Sequence, residues 1–393
     1  MAPMARFKQT GAAKRQPYEV KGSPGKGNGV LATRAIEPGT VIMKDKVAIL
    51  IKKDPPTVQP TDVIKAVASL STSDQARFFA LHEGSRPYSS QAFRIYKANA
   101  FGSKGESRLF LKISLINHSC VPNAEISDSN KDDDDTDHVF AIKHIATGEE
   151  IFINYIGQSE TMIRGHRQTV ARIYYGFLCS CTACRLPGQE QQLSDRRRQL
   201  IAVLSNALEG FQPPIARYFD GLARLTPEQA EDPRVLNGIP RFPLSSALTL
   251  QQKTAYHALL GHLLVAENFA GFKVATAFSN AAETLVHQMD QLVESHMLVY
   301  PTSTRLATLW MGKALQIMDS ARGQASEEYK YIAQTWEFMK ESNPMIAGML
   351  YASKVTRGKE GSYALRVIER GGGAVEMKEL TEAEAKGVVR GQK

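Results

Sequence analysis

The sequence has few cysteines and no long apolar run, and each shortage excludes a class of protein. Only four cysteines occur in 393 residues, and three of them stand together as Cys179, Cys181 and Cys184. No apolar run reaches the roughly 18–20 residues that a membrane-spanning helix needs. The basic first residues, MAPMARFKQTGAAKRQ, also lack the apolar core of a secretory signal. We therefore expect a protein of the cell interior without a membrane partner, in which clustered cysteines indicate a metal site before a disulfide.

Acidic residues are outnumbered by basic ones. The 48 lysines and arginines exceed the 40 aspartates and glutamates, which gives a net charge of +8. The excess is concentrated in residues 5–26, whereas residues 128–137 hold six aspartates in ten positions. A basic balance favours a polyanionic partner such as nucleic acid or a nucleosome surface. A solvated basic surface explains the same charge, so both interpretations stay open.

The chain changes character along its length, which predicts an α+β unit followed by an all-α one. Short β-type runs such as GVLATRAI and EEIFINYI alternate with turn residues in the first half. The stretch 61–82 is helical in pattern, with Thr61 or Ser71 as N-cap, within a helical insert of about 55–95. The predicted division is a basic flexible tail at 1–19, a strand-rich domain at 20–158, a cysteine segment at 159–188, a helical domain at 189–350 and a tail at 351–393.

Long segments of the second half are rich in Ala, Leu, Gln and Glu and have helical periodicity. They are 193–209, 250–267, 272–297, 302–320 and 326–342. Successive antiparallel helix pairs of this length resemble tetratricopeptide repeats. No repeated consensus is found, so an ordinary helical bundle is the alternative.

The residue types that chemistry needs are concentrated in a few short stretches. In chain order they are 25–30 (GKGNGV), 99–101 (NAF), 114–123 (SLINHSCVPN), 148–155 (GEEIFINY) and 175–184 (YGFLCSCTAC). Taken singly, each has an ordinary structural explanation: a glycine loop, a polar pair beside a turn, a core aromatic or a metal cluster. In this order and spacing they resemble the SET-domain methyltransferase family, and within it the SET-and-MYND proteins and their fungal relatives.

The resemblance covers residues 22–184 and implies a SET fold of small β-sheets with a post-SET zinc cap. It also implies an S-adenosylmethionine-dependent protein-lysine N-methyltransferase that acts on histone or other basic protein tails, in the nucleus and/or cytoplasm. A catalytically weak SET-fold scaffold is the alternative. By the same resemblance, the cofactor is bound by Lys26, Gly27, Asn28, Gly29, Asn99, Ser114, Ile116, Asn117, His118, Tyr155 and Phe177.

The glycine-rich stretch and its neighbours have defined roles in this resemblance. Gly25, Gly27 and Gly29 are expected to let the backbone approach the cofactor closely, which a Cβ would prevent. Lys26 and Asn28 are expected against its methionine and adenosine portions. Phe177 is expected to stack near the adenine.

The tyrosines are assigned to the reaction itself. The resemblance makes Tyr155 the catalytic tyrosine and Tyr175 the second wall of a narrow aromatic channel for the substrate lysine. A free lysine has a pKa of about 10.4, so neutralising it near pH 7.4 costs roughly 4 kcal/mol. An apolar channel and a positive sulfonium lower that pKa by desolvation and by like charge.

The cysteine count supports the resemblance independently. The family pattern assigns Cys120, Cys179, Cys181 and Cys184 to one tetrahedral zinc, and no cysteine is left over. A closed four-thiolate site is structural rather than catalytic. Its formation would contribute on the order of 10 kcal/mol to local folding and tie the post-SET segment onto the cofactor pocket.

Two departures from the family pattern are visible. No cysteine occurs in residues 50–95, where the zinc-binding MYND insertion of the animal proteins would fall. The Asp-rich stretch 128–137 is interpreted as an inserted loop between two strands. It is either a solvated hairpin tip or an acidic contact for basic histone tails.

The N-terminal tail itself resembles a substrate. Residues 5–10 read ARFKQT, which differs at one position from ARTKQT, the start of a core histone tail. One hypothesis is that Lys8 enters the protein's own lysine channel, as an automethylation site or as a pseudosubstrate. The alternative is a basic tail that matches by chance.

Overall fold

The structure is a computed structural model that describes residues 16–84, 88, 90–103, 105–128, 135–212, 242–294, 301–324, 326–342, 365–370 and 374–379. The predicted tail up to residue 15, Lys8 with it, and most of the Asp-rich stretch lie outside the described residues. The chain divides into two compact units. The first contains the described residues up to Asp195, and the second contains those from Arg196 to 212 and from 242 onward.

The first unit holds small β-sheets, as predicted. Its strands are β1 (Tyr18–Ser23), β2 (Gly27–Ala32), β3 (Val41–Ile51), β4 (Phe101–Ser103), β5 (Glu106–Phe110), β6 (Asn117–His118), β7 (Ala124–Asp128), β8 (Thr136–Ala141) and β9 (Phe152–Ile153). Five of them form an antiparallel sheet in the order β4-β5-β3-β8-β7. β1 and β2 form a hairpin, and β6 pairs with β9 in parallel.

The alternation of apolar and polar residues explains why β3 lies at the centre of the larger sheet. Met43, Ile49 and Ile51 are buried, whereas the residues at 44, 46 and 50 between them are exposed. Since strand side chains alternate between the two faces, this pattern directs one apolar row into the core. Asp45 is the exception: it is buried, and its carboxylate accepts hydrogen bonds from the backbone N–H groups that open the 113–115 turn.

Helices α1 (Pro60–Ala68), α2 (Thr72–Phe79) and α3 (Gln91–Asn99) occupy the predicted insert, and α4 (Arg164–Tyr175) precedes the cysteines. The Ser71 side chain accepts a hydrogen bond from Asp74 N–H and caps α2, as predicted. The prediction of Thr61 as a cap is wrong, because Pro60 opens α1 and Gln59 is its cap. Proline suits the first helical position, where its missing N–H has no partner in any case.

The remaining helices are α5 (Gly188–Leu208), α6 (Leu250–Ala266), α7 (Phe272–Glu294), α8 (Pro301–Arg322) and α9 (Glu327–Ser342). They confirm the helical C-terminal region, and the border between the two units falls within α5. Their tetratricopeptide-like character stays a prediction. None of the helices that the structure describes is long and apolar enough to cross a membrane.

The predicted C-terminal tail contains structure that sequence analysis missed. Residues Leu365–Arg370 and Ala374–Glu379 form the antiparallel strands β10 and β11. The missed signal is the pair of short runs with Val and Ile on either side of the glycines at 371–373, a pattern typical of a hairpin.

Candidate active site

A cavity of about 540 Å³ lies in the first unit, within the size range typical of small-molecule sites. Its wall is assembled from the β1–β2 turn, the ends of α2 and α3, the 114–118 segment and the segment that follows α4. Most predicted site residues line it: Lys26, Gly27, Asn28, Asn99, Ser114, Asn117, His118, Tyr155, Tyr175 and Phe177. None of the described lining residues is Asp or Glu.

Two predicted cofactor residues, Ile116 and Gly29, do not line the cavity. The Ile116 side chain is fully buried in the core, and its carbonyl accepts a hydrogen bond from the Tyr155 hydroxyl. Gly29 lies behind the wall. A Cβ added there would stand 2.5 Å from Glu150 Oε1 and 3.1 Å from Asn117 Nδ2. Glycine is therefore required at 29 for contact within the protein, and the predicted contact of Gly29 with the cofactor stays a prediction.

Glu150 connects the stretches that the sequence motifs mark. Its Oε2 accepts hydrogen bonds from Ser23 Oγ and Lys26 Nζ, both at 3.0 Å. Its Oε1 accepts one from Asn117 Nδ2 at 2.7 Å, and that amide also donates to the Asn28 carbonyl at 2.9 Å. Sequence reasoning did not single out Glu150, although it stands in the GEEIFINY stretch that was quoted as a motif. It holds the glycine turn against the 117–118 strand.

The parallel pairing of β6 with β9 brings the two motifs of highest specificity together. Asn117 pairs with Phe152, and His118 pairs with Ile153. The Tyr155 N–H donates to His118 Nδ1 at 3.0 Å, so the other ring nitrogen, Nε2, carries the hydrogen and points at Cys120 Sγ, 3.3 Å away. Burial lowers the pKa of His118 to about 4. The ring is therefore neutral at physiological pH and links the cavity to the cysteines.

Aromatic rings form one side of the cavity. The ring centroids of Tyr155 and Tyr175 are 5.3 Å apart, and those of Tyr175 and Phe177 are 6.2 Å apart. The His118 ring lies 5.4 Å from that of Tyr155 and 5.8 Å from that of Phe177. The Tyr175 hydroxyl donates to the Tyr155 carbonyl at 2.7 Å, which fixes the two tyrosines relative to each other. We refer to Tyr155, Tyr175 and Phe177 as the aromatic wall.

The Tyr155 hydroxyl keeps its proton. Burial raises the pKa of Tyr155 well above its usual value, and the nearby Tyr175 and Glu150 act in the same direction. The hydroxyl donates to the Ile116 carbonyl at 2.5 Å. Tyr155 is thus built to position groups by hydrogen bonding and ring contact and not to act as a base at neutral pH.

The insert helices contribute cavity residues that sequence reasoning missed. Ala80, His82 and Ala98 line the cavity. Asn99 Nδ2 donates to the His82 carbonyl at 2.7 Å, and Ser114 Oγ donates to the Asn99 carbonyl at 3.2 Å. No chemical motif marks such residues, since only packing of the insert brings them to the cavity.

The four cysteines form one cluster, as the family pattern predicts. Their sulfur atoms all lie within 4.8 Å of one another, and all but the half-buried Cys181 are buried. Cys120 Sγ lies 3.8 Å from Cys179 Sγ and 3.7 Å from Cys184 Sγ. A disulfide has sulfurs about 2.05 Å apart, whereas a tetrahedral metal with metal–sulfur bonds of about 2.3 Å separates them by about 3.8 Å. The cluster therefore has the dimensions of a four-thiolate metal site.

Helix α4 joins this cluster to the aromatic wall. Gln168 holds the cysteine segment, because its amide donates to the Cys179 carbonyl at 2.7 Å and accepts from Cys179 N–H at 2.8 Å. The helix ends at Gly176, whose φ of +75° turns the chain back toward Phe177. A left-handed residue at this position is a usual helix stop and favours glycine.

Comparison with known proteins shows which family the first unit is similar to. Residues 27–156, about a third of the chain, match the family model described as SET domain. It is 27% identical over 187 residues to histone-lysine N-methyltransferase set5 of Schizosaccharomyces pombe, with 47% of this chain and 56% of that protein covered. It is 38% identical over 89 residues to protein-lysine N-trimethyltransferase SMYD5 of Homo sapiens, a match that covers 22% of this chain and 21% of that protein. The predicted resemblance to SET-domain lysine methyltransferases is confirmed.

The extent of these matches is partial. The chain spans about half the length of the fission yeast relative and about a fifth of the human one. Among solved structures, we compared the SET domain of LSMT bound to MeLysine and AdoHcy, which is 12% identical to this chain. The superposition covers 89% of this chain and 94% of the LSMT chain, with a TM-score of 0.30. A likeness that loose carries no argument about this chain.

Proposed function

We propose that the protein is an S-adenosylmethionine-dependent protein-lysine N-methyltransferase with one structural zinc. The observation that supports this most is that the aromatic wall, the Lys26–Asn28 turn and the Asn117–His118 pair all line the same cavity. A transfer between two bound molecules requires that both be held in one orientation, which supplies much of the rate. A SET domain over residues 27–156 and relatives named as lysine methyltransferases agree with this function.

The residues present fit the cofactor. Gly25 and Gly27 line the cavity with positive φ, and a Cβ added at either would meet no protein atom, so a side chain there would take space that a ligand can use. Lys26, Asn28 and Asn117 would hold the cofactor's polar end, and Phe177 its adenine. S-adenosylmethionine, when bound, supplies an electrophilic methyl carbon on a positive sulfonium.

The aromatic wall suits an incoming lysine side chain. No described lining residue is a carboxylate, so no ion pair stabilises the charged form of the amine there. Desolvation in an apolar channel lowers the pKa of a lysine and favours the neutral nucleophile. The faces of the Tyr155 and Tyr175 rings also accommodate a methylated ammonium product.

The metal that best suits the cysteine cluster is zinc. Four thiolates at tetrahedral spacing are typical of structural zinc sites, and a closed set leaves no position for substrate. Cys120 follows the cavity residue His118 in the chain, and Cys179 and Cys181 line the cavity themselves. Zinc would therefore hold the segment with Tyr175 and Phe177 in place without taking part in methyl transfer.

Histone tails are the substrates we propose to test first, because the fission yeast relative is named a histone-lysine N-methyltransferase. Contact with a nucleosome and a nuclear and/or cytoplasmic location follow from that substrate class and from the net charge of +8. Automethylation of Lys8 stays a hypothesis, and mass spectrometry of the protein after incubation with labelled cofactor decides it.

The function is tested by methyl transfer from labelled cofactor to histones and cell lysate, with cofactor affinity measured by calorimetry. We expect Tyr155→Phe to bind the cofactor and to lose about 100-fold or more in rate, since the hydroxyl that fixes the channel is gone. Tyr174→Phe, one residue from the aromatic wall and outside the cavity lining, is the matched control and should keep the wild-type rate.

The outcomes separate the alternatives. Absence of cofactor binding by the zinc-loaded wild type would contradict the enzyme. Cofactor binding with no transfer to any substrate would favour a catalytically weak scaffold, which the relatives' names do not favour.

A further inference from the structure

Arg167 in the first turns of α4 is fully buried, although its guanidinium is charged. Its terminal nitrogens donate to the Met162 carbonyl at 2.5 Å and to the Ala183 carbonyl at 3.3 Å. One of them also lies 3.7 Å from Cys184 Sγ. No carboxylate is among its hydrogen-bond partners in the described part of the chain, and its Nε has no partner there.

A buried guanidinium without a negative partner is unfavourable by several kcal/mol. Two carbonyls supply hydrogen bonds to Arg167 but no charge. The acidic group in contact with it is the Cys184 thiol, and cysteines bind metals as negative thiolates. Four thiolates carry four negative charges and a divalent ion two positive ones, so two negative charges remain beside Arg167.

We propose that Arg167 is the charge partner of the four-cysteine metal site: its guanidinium offsets the negative charge of the metal-bound thiolates and thereby sets how tightly the metal is held. Arg167 is a positioning residue that acts through the cysteines and does not touch the cavity. The inference rests on the metal site of the proposed function. It adds a role for a residue that no motif marks.

The position of Arg167 gives this role a consequence for the cavity. Arg167 and Gln168 both hold the cysteine segment from α4, and the same helix ends at Tyr175. One helix therefore contacts the cysteine segment and also carries Tyr175 of the aromatic wall.

The test compares Arg167→Met, which removes the charge at similar length, with Arg167→Lys, which keeps it. Arg172→Met is the matched control, because Arg172 lies on the same helix and is exposed. The full chain is purified with zinc, its zinc content is measured by mass spectrometry, and affinity is measured by competition with a chromophoric chelator.

We expect zinc affinity to fall about 10–100-fold in Arg167→Met, as for loss of other groups that contact metal ligands. Arg167→Lys should restore most of it, and Arg172→Met should match the wild type.

A second readout separates charge from folding. In cobalt-substituted protein, the thiolate-to-cobalt charge-transfer band should shift in Arg167→Met and stay in place in Arg167→Lys and Arg172→Met. Should Arg167→Met fail to fold, near wild-type zinc affinity and an unshifted band in Arg167→Lys support the proposal. A loss in Arg167→Lys as large as that in Arg167→Met overturns it.

The same data distinguish the two levels of inference. A wild type that binds no zinc removes the metal site itself and the role of Arg167 with it. A wild type that binds one zinc, with Arg167→Met and Arg172→Met holding it equally well, overturns only the role of Arg167.

Discussion

The two units of the chain are built from different side chains, and the difference follows from their secondary structure. The main core of the first unit is dominated by branched residues on short strands and turns, such as Ile42, Ile116 and Val139. The core of the second is rich in alanine and methionine on helices, including Ala282, Ala307, Met311 and Met318. Branched side chains pack well on a pleated sheet, whereas small residues let helices approach and methionine fills irregular gaps.

The units differ further in where they bury polar groups. In the first unit, some buried polar side chains lie at the cavity or beside the cysteines, and others hold strands together. Asn123, for example, donates to the Glu150 carbonyl at 3.0 Å and accepts from Phe152 N–H at 2.8 Å, which holds β9 in place. In the second unit a buried ion pair, Arg198 with Glu267 at 2.9 Å, ties α5 to the end of α6. Buried polar networks are unfavourable unless they are paired, so each of these contacts fixes the elements that it joins.

The chain offers a way to observe each unit separately. Both of its tryptophans, Trp310 and Trp336, lie in the second unit and pack in or against its core. Tryptophan fluorescence therefore reports on unfolding of the second unit, and zinc content reports on the first.

The largest expected effect is that of removing the metal. Cys181→Ser, or chelation, should abolish zinc binding and methyl transfer, since metal binding contributes on the order of 10 kcal/mol to a site of this kind. The tryptophan-detected unfolding midpoint should change little, because the second unit has its own core. Thr182→Ala, an exposed neighbour, is the control. An active, well-folded protein without zinc would contradict the structural role of the cluster.

An intermediate effect is expected for Gly29→Ala. The added Cβ displaces the Glu150 carboxylate, which stands 2.5 Å from its position, and weakens the bond to Asn117. Loss of one charge-assisted hydrogen bond costs about 1.5–3 kcal/mol, so cofactor affinity should fall about 10-fold or more. Gly22→Ala, in the same hairpin and with no atom within 4 Å of an added Cβ, should leave affinity unchanged in calorimetry. Equal affinities for both variants would disprove the role of Glu150.

The smallest effect is expected in the second unit. A Cβ at Gly261 would stand 2.9 Å from the ring of the fully buried Phe278. Overpacking outweighs the gain in helix propensity, so Gly261→Ala should lose about 1 kcal/mol in the free energy of unfolding. Gly312→Ala, on α8 with no atom within 4 Å, should gain about 0.5–1 kcal/mol. Denaturant unfolding followed by tryptophan fluorescence measures both. A stabilised Gly261→Ala would show that this core is looser than its contacts indicate.

Local pattern was enough to find the helices and the motifs. The predicted helices at 250–267 and 272–297 correspond to Leu250–Ala266 and Phe272–Glu294, because long periodic segments carry their own signal. The predicted cofactor-binding and catalytic residues line one cavity, apart from Gly29 and Ile116, since a motif pattern marks residues that act together. The predicted cap at Thr61 was wrong because the ends of an element depend on one or two residues. The C-terminal strands were missed because the glycines and charges around them were interpreted as a tail.

By itself the sequence determined the residue types: four cysteines for one cluster, aromatic residues for one wall and glycines where the backbone turns. Only the tertiary structure decided which side chains join them. Ser23 and Glu150 are hydrogen-bonded although 127 positions separate them in the chain, and Arg167 reaches Cys184 because α4 packs on the cysteine segment. Contacts between distant positions depend on how elements pack, and packing is a property of the whole fold rather than of any local stretch.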